Sequence, residues 1–289
     1  MIVNKKILLL GLACFISLVL LFSLASSIMT QVVVVNSAPT VHLGLSGFVT
    51  STSFIDSIIN IMKAKGLNTF RMCFAPSFVG TTHPYKSSYV QYFLDHCNYI
   101  LIVEPNHLHP SNEAMSSKAR SNWSTIKNNV YKVLSAYKNN NRVVVELINE
   151  YVSSDFYTRM QSLVTEIRSK GYTNKLILNK FSQSWKLVND PLGKTYQGYH
   201  YYFNTWSVSG AISNVKLAKA KGIKLINTEI GADFNEYTAF SRSEVSELNS
   251  FVSQCASLGI GNLIWMNANL NNYNKYQSLG WKFPVVASP

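Results

Sequence analysis

Arg142-Val-Val-Val-Glu-Leu-Ile-Asn-Glu150 is an apolar run that ends in an amide and a carboxylate. Its β-branched residues, followed by Leu147 and Ile148, predict a strand buried on both faces, the kind found in parallel sheets covered by helices. A carboxylate at the rim of such a strand either pairs with a cation or has its pKa raised, and the second case produces a general acid. A second apolar run, Leu225-Ile-Asn-Thr-Glu-Ile-Gly231, supplies a matching strand-end carboxylate in Glu229.

Outward from that strand, the chain alternates between strand-like and helix-like segments. Strands are expected at Val41 to Phe48, Asn68 to Phe74, Tyr99 to Glu104, Arg142 to Asn149, Lys175 to Asn179, Tyr196 to Tyr202, Lys224 to Glu229 and Asn262 to Asn267. Helical spacing is seen at Ser53 to Lys65, Tyr89 to Cys97, Glu113 to Asn139, Asp155 to Lys170, Ser209 to Lys221 and Ser243 to Leu258, with Gly66, Gly171 and Gly222 as stops. The stretch after Asn179 has little periodicity. Eight strands with intervening helices predict a single-domain (β/α)8 TIM barrel. The rival, a doubly wound open sheet, lacks a GxGxxG or P-loop glycine pattern.

The chain of 289 residues is 47% hydrophobic, enough for one such barrel in residues 41–289. Lys5 and Lys6 precede an uncharged apolar run, Ile7 to Met29, so residues 1–30 read as an export signal peptide or a transmembrane anchor. Ala25 and Ser27 offer a small-residue cleavage site, while the length would also suit a bilayer span with the lysines on the cytoplasmic side. Residues 31–40 read as a linker. The protein is thus expected to be secreted, or held on the outer face of a membrane.

A balance of 26 Lys+Arg against 14 Asp+Glu gives a net charge of +12. The lysines are spread over many helices and no nucleic-acid-binding pattern is present, which argues for a solvated shell rather than a nucleic-acid partner. Cys14 lies in the export segment; Cys73, Cys97 and Cys255 have no zinc-like spacing and are expected as buried thiols. Asn122-Trp-Ser124 is a glycosylation sequon. No HExxH or similar spacing gathers His and carboxylate residues, so no metal is expected.

In a parallel barrel the carboxyl ends of all strands meet at one rim. The residues there are Arg71, His107, Asn149 with Glu150, His200 with Tyr202, Glu229 and Trp265. Gly66-Leu-Asn-Thr-Phe-Arg-Met72, Val145-Glu-Leu-Ile-Asn-Glu150, His200-Tyr-Tyr202, Glu229-Ile-Gly231 and Trp265 resemble, in order, the strand-end motifs of glycoside hydrolase family 5, the cellulase and mannanase type of clan A.

The resemblance implies Glu150 as acid/base, Glu229 as nucleophile and Asn149 on the sugar's 2-hydroxyl. It also implies that Arg71 and Tyr202 position Glu229 and keep it ionised, that His200 lines the site and that Trp265 is the sugar platform. The pattern departs at Tyr151, where the family often has Pro, and in Val103-Glu-Pro-Asn-His107, where a histidine pair is usual and His109 competes with His107. Retaining hydrolysis needs one protonated and one ionised carboxyl, so Glu150 is expected to have a raised pKa and Glu229, beside a guanidinium, a lowered one.

Glu146, in mid-strand, is expected to pair with a buried cation or face a helix. His42, His83 and His96 are expected at the surface or in loops, and Trp185, Tyr201 and Trp206 as exposed aromatics extending the cleft. The expected activity is that of a monomeric, cofactor-free endo-β-glycosidase cutting a β-1,4-glucan or mannan by double displacement. A non-catalytic surface glycan-binding barrel and an envelope-remodelling transglycosylase are the alternatives.

Overall fold

The computed structural model describes residues 42–80, 83–109, 111–181, 184–203, 205–232, 241–266 and 270–282. The expected export segment, the linker 31–40, Cys14 and Asn267 lie outside them. Among the described residues, no helix is long and apolar enough to cross a membrane.

Eight parallel strands close into a barrel in sequence order. They are β1 (Leu43–Phe48), β2 (Thr69–Cys73), β3 (Ile100–Glu104), β4 (Val143–Glu146), β5 (Leu176–Asn179), β6 (Thr195–Tyr202), β7 (Leu225–Gly231) and β8 (Gly261–Trp265). Around them run α1 (Thr52–Lys65), α2 (Ser87–His96), α3 (Glu113–Ser121), α4 (Trp123–Ala136), α5 (Phe156–Ser169), α6 (Val208–Ala220), α7 (Arg242–Ser257) and α8 (Asn271–Ser278). The ring closes where Leu43 to Ser46 of β1 pair with Asn262 to Trp265 of β8.

Strand alternation sorts the core into two parts. Leu45, Phe70, Leu101, Val103, Val145 and Leu178 belong to the large cluster shared with the helices. Ile100, Ile102, Val144, Ile177, Ile226 and Leu263 form a separate small cluster, the apolar plug inside the ring. Above the plug, toward the carboxyl ends, the inward positions turn polar: Ser46, Arg71, Glu104, Glu146, Asn179, His200 and Thr228, all buried.

Local chemistry fixes the helix ends. Ser51 caps α1 by accepting from Phe54 N, and Gly66 closes it at φ 63°, a left-handed conformation that glycine adopts without strain. Ser241 and Glu244 form a capping box on α7.

Three elements differ from expectation, while the stretch after Asn179 matches its lack of periodicity. The expected long helix from Glu113 is two helices, because Asn122 turns its side chain back onto Lys118 O (2.9 Å), and asparagine's competition for backbone bonds disfavours helix interiors. Strand β4 stops at Glu146; beyond it the backbone alternates between neighbours, with Leu147 N on Ile177 O and Asn149 N on Asn106 O.

Between β5 and β6, the described residues form no helix. Asp190 organises that stretch instead, accepting from Arg168 Nε and Nη2, Leu192 N, Lys194 N and Thr195 Oγ1. Finally, α8 follows β8 with no periodic signal in its largely polar sequence.

Candidate active site

Arg71, fully buried on β2, is the hub of the barrel mouth. Its Nε and Nη2 grip Glu146 at 2.7 and 3.0 Å. Nη2 also reaches Asn149 Oδ1 at 2.7 Å, while Nη1 donates to Ser46 Oγ (3.1 Å) and Glu229 Oε1 (2.8 Å). These bonds engage every N–H the guanidinium has. Arg71 therefore has no donor left for a sugar; it holds the groups around it. Glu146 is the partner of a buried cation, the first of its two expected readings.

Glu229 is fixed on its other side by Tyr202, whose hydroxyl donates to Oε2 at 2.9 Å. The local backbone explains how β7 delivers it. Pairing to β6 runs Tyr199 to Asn227 and then His200 to Glu229. Toward β8 it runs Asn227 to Asn262 and then Ile230 to Ile264. Thr228 is thus an extra residue against both neighbours, a β-bulge of the kind that re-aims side chains beside active sites. Both Thr228 and Glu229 consequently face inward.

Glu150 stands just past the end of β4 with φ 43°; with Asn139, it is one of two non-glycine residues at positive φ among those described. A left-handed backbone at a carboxylate is strained and occurs where surrounding contacts impose it. His200 Nδ1 lies 2.5 Å from Glu150 Oε1 and 3.1 Å from Glu229 Oε2, so it carries a hydrogen toward both. On its far side, Nε2 lies 2.7 Å from Asn179 Nδ2 and 3.1 Å from Thr228 Oγ1. Ser111 donates to Glu150 Oε2. The carboxylate oxygens of Glu150 and Glu229 approach within 4.8 Å of each other.

The electrostatics correct one expectation. Burial pushes Glu150 up, but the facing His200, with the hydrogen bonds from His200 and Ser111, brings it down to about 2. Burial likewise pushes the His200 imidazole down, and the carboxylates of Glu229 and Glu150 more than reverse this, so its pKa is raised. Glu150 is therefore lowered, against the expectation of a raised pKa. The cause is the imidazole wedged between two carboxylates, a neighbour the strand-end reading did not count.

A second wall is built around His107. Its Nδ1 meets Glu104 Oε2 at 2.9 Å, and its ring stacks on Trp265 (5.7 Å, 5°) and meets the edge of Phe48 at 4.7 Å. Burial, foremost, and Arg71 depress its pKa to about 4, leaving a neutral imidazole at pH 7. Glu104 itself lies 3.6 Å from Arg71, and burial raises its pKa well above the usual carboxylate range. Trp265 is only 7% exposed. His109, the rival for the site position, is exposed.

All eight residues singled out from the sequence thus converge on the mouth. Several aromatic and histidine expectations are corrected. Trp185 and Tyr201 are buried behind the strands, both bonded to Asn214 (2.7 Å each), because they point outward beneath α6. Trp206, by contrast, lines a cavity of about 330 Å3 together with Glu150, Lys180, Phe181, Tyr199, His200, Tyr202 and Thr205. His42 is buried on Thr69 Oγ1 (2.9 Å), whereas His83 lies in a loop, as expected, with its ring stacked on Phe48 at 4.7 Å. His96 is exposed, as expected.

Glu104 and Asn179 carried a readable signal, since each ends a buried strand; Ser111 and Thr228 carried none. Cys73, Cys97 and Cys255 are free, and Cys97 is only partly buried.

Two groups, Cys73 with Glu104 and His107, and Glu150 with His200 and Glu229, place metal-ligand atoms within 4.8 Å of one another. Glu104 and Glu229 both lie against Arg71, whose charge opposes a second cation there.

A closed (β/α)8 barrel with paired carboxylates, one buried guanidinium and a sugar-sized cleft at the carboxyl rim defines a glycoside hydrolase. The particular family is shown by the sequence: residues 35–271 match the model described as Cellulase (glycosyl hydrolase family 5), and the chain belongs to it.

No curated protein matches. Solved structures share the fold at low identity. They include Cellulase Cel5C_n, 15% identical with TM-score 0.64 over 83% of each chain. A GH5 cellulase from an Icelandic hot spring isolate is 16% identical, with TM-score 0.60 over 79% of this chain and 76% of that one. The catalytic domain of a mannanase from Streptomyces sp. SirexAA-E is 18% identical, with TM-score 0.53 over 77% and 75%.

Proposed function

We propose that this glycoside hydrolase is an exported, endo-acting, retaining β-glycosidase that cuts internal bonds of a β-1,4-linked glucan or mannan. The observation that carries the reading is the approach of the Glu150 and Glu229 carboxylates to within 4.8 Å across the mouth. Double displacement uses carboxyl groups about 5 to 5.5 Å apart, whereas inversion needs about 6.5 to 9.5 Å to fit a water between them. The relatives named as cellulases and a mannanase support the substrate class.

In the first step Glu229 Oε2 or Oε1 attacks the anomeric carbon while Glu150 passes a proton to the departing glycosidic oxygen. His200 supplies that proton across the 2.5 Å contact. In the second step Glu150 takes a proton from water and hands it back to His200, the water oxygen bonds to the anomeric carbon, and Glu229 leaves as a carboxylate. Asn149, held by Arg71, faces the 2-hydroxyl, and Trp265 with His107 forms the floor under the sugar ring.

The cavity bordered by Glu150 but not by Glu229 is the leaving-group side. Phe181, 45% exposed, and Trp206 offer apolar faces there to the C–H face of a second sugar. Room for a second sugar on the leaving-group side supports endo action.

The test is an assay for new reducing ends on soluble β-1,4-glucans and mannans, with NMR of the first-formed anomer and a parallel reaction containing added sugar acceptor. Hydrolysis with initial β-anomer, abolished in Glu229→Ala, is expected. An initial α-anomer, or undiminished activity in Glu229→Ala, would sink the reading; products lengthened by acceptor would make the enzyme a transglycosylase.

A further inference from the structure

The Ser111 hydroxyl occupies Glu150 Oε2, the oxygen that His200 leaves open. Ser111 belongs to no strand and to no motif of the family resemblance, yet it rests on a rigid support. It directly precedes Asn112, the N-cap of α3, whose Oδ1 accepts from Met115 N at 2.8 Å. Helix α3 is in turn bolted to the residues that follow Glu150: Val152 N donates to Ser116 Oγ at 3.0 Å, and Arg120 Nη1 reaches Ser153 Oγ at 2.5 Å. The donor and the strained Glu150 backbone therefore share one frame.

The hydroxyl has a second outlet. Ser111 Oγ lies 3.4 Å from Leu108 O, a weak acceptor at that distance but one within reach of a rotation about the Cβ–Oγ bond. A hydroxyl is both donor and acceptor and can reorient. It can donate to Glu150 while that group is a carboxylate and turn to Leu108 O when the carboxyl holds a proton.

We propose that Ser111 is a positioning residue for the acid/base, holding Glu150 in line through both half-reactions by switching its hydrogen between Glu150 Oε2 and Leu108 O. The inference rests on Glu150 being the acid/base. When Glu150 gives its proton to the glycosidic oxygen, the Ser111 O–H swings onto the new carboxylate. When Glu150 takes a proton from water, the O–H swings back. No net proton is gained or lost at Ser111.

The test compares two substrates of the same sugar, an oligosaccharide with a poor leaving group and a dinitrophenyl glycoside whose departure needs no acid. Ser111→Ala is expected to lose about 10- to 100-fold in kcat/KM on the oligosaccharide, a part of the roughly 100- to 10,000-fold that general acid catalysis contributes, and less than about 3-fold on the dinitrophenyl glycoside. Ser111→Thr, which keeps the hydroxyl, is expected to restore the oligosaccharide rate. Equal losses on both substrates, no loss on either, or a Ser111→Thr variant as impaired as Ser111→Ala would overturn the proposal.

Glu150→Ala with added azide separates the two layers of inference. Rescue with formation of a glycosyl azide upholds Glu150 as acid/base whatever Ser111 does. Without rescue, the assignment of Glu150 falls first, and the proposal for Ser111 falls with it.

Discussion

Arg71 shows why a single side chain decides the chemistry of this mouth. It is surrounded by Glu146, Glu229 and, slightly farther off, Glu104, and burying those carboxylates without it would be prohibitive. Breaking a buried pair by removing one partner typically costs about 3 to 5 kcal/mol. Arg71→Met is expected to lower unfolding free energy by about that amount in urea titrations and to remove hydrolysis. Arg71→Lys, which keeps the charge but not the planar fork, is expected to fold better and remain slow, because an ammonium cannot serve Ser46, Glu146, Asn149 and Glu229 at once. A fully active Arg71→Lys enzyme would contradict the hub.

At the scale of elements, β7 carries the most information per residue. A Cβ built on Gly231 would sit 2.9 Å from the Tyr202 ring and 3.0 Å from the Tyr276 hydroxyl. The glycine of the Glu-Ile-Gly stretch is therefore a space reserved for the ring that orients Glu229. Gly231→Ala is expected to push Tyr202 off Glu229 and cut kcat about 10- to 100-fold, the size expected for a small misplacement of catalytic groups. Its unfolding midpoint should change little; a normal kcat would show that the ring has room to yield.

The same strand marks the limit of what was legible in the sequence. Near-continuous apolar runs, one carrying Arg71 and others ending in Asn149, Glu150 and Glu229, announced the barrel and its rim, because parallel strands buried on both faces leave few other patterns. The bulge at Thr228 has no compositional signature, and it alone turns two adjacent side chains inward. Ser111 was hidden for a similar reason, since a loop serine has dozens of lookalikes. Trp185 and Tyr201, which point outward beneath α6, were misread as cleft residues because an aromatic near a strand end reads the same on either face. Asp190 could not be foreseen as the organiser of the β5–β6 connection, because its donors come from α5, from β6 and from its own loop.

For the molecule as a whole, two buried histidines make the fold sensitive to acid. Burial, and then Lys175, depress His42 to about 4, and His107 is likewise about 4, against about 6.5 in an unfolded chain. Below pH 6.5 the unfolded state takes up protons that the folded state refuses. Their stabilisation is thus complete above 6.5 and lost as pH falls toward 4, by up to about 3 kcal/mol for each. His200, raised by its carboxylates, works in the opposite sense and withdraws stability as pH climbs through its folded value. Urea unfolding at pH 7, 5.5 and 4.5 should show a steep decline that is shallower in His42→Gln; an unchanged slope would exclude His42 as a source.

The guanidinium at the centre also acts as a proof of closure. Ser46, Glu146 and Glu229 come from the first, fourth and seventh strands, and they meet on Arg71 only once the ring has come full circle. A fragment that stops before β7, or a chain whose last strands have not found the first, can fold its helices and the β3–β5 part of the apolar plug and still lack the contact between Arg71 and Glu229. In this protein hydrolysis is therefore a readout of topology: the first turnover reports that the two ends of the sheet have joined.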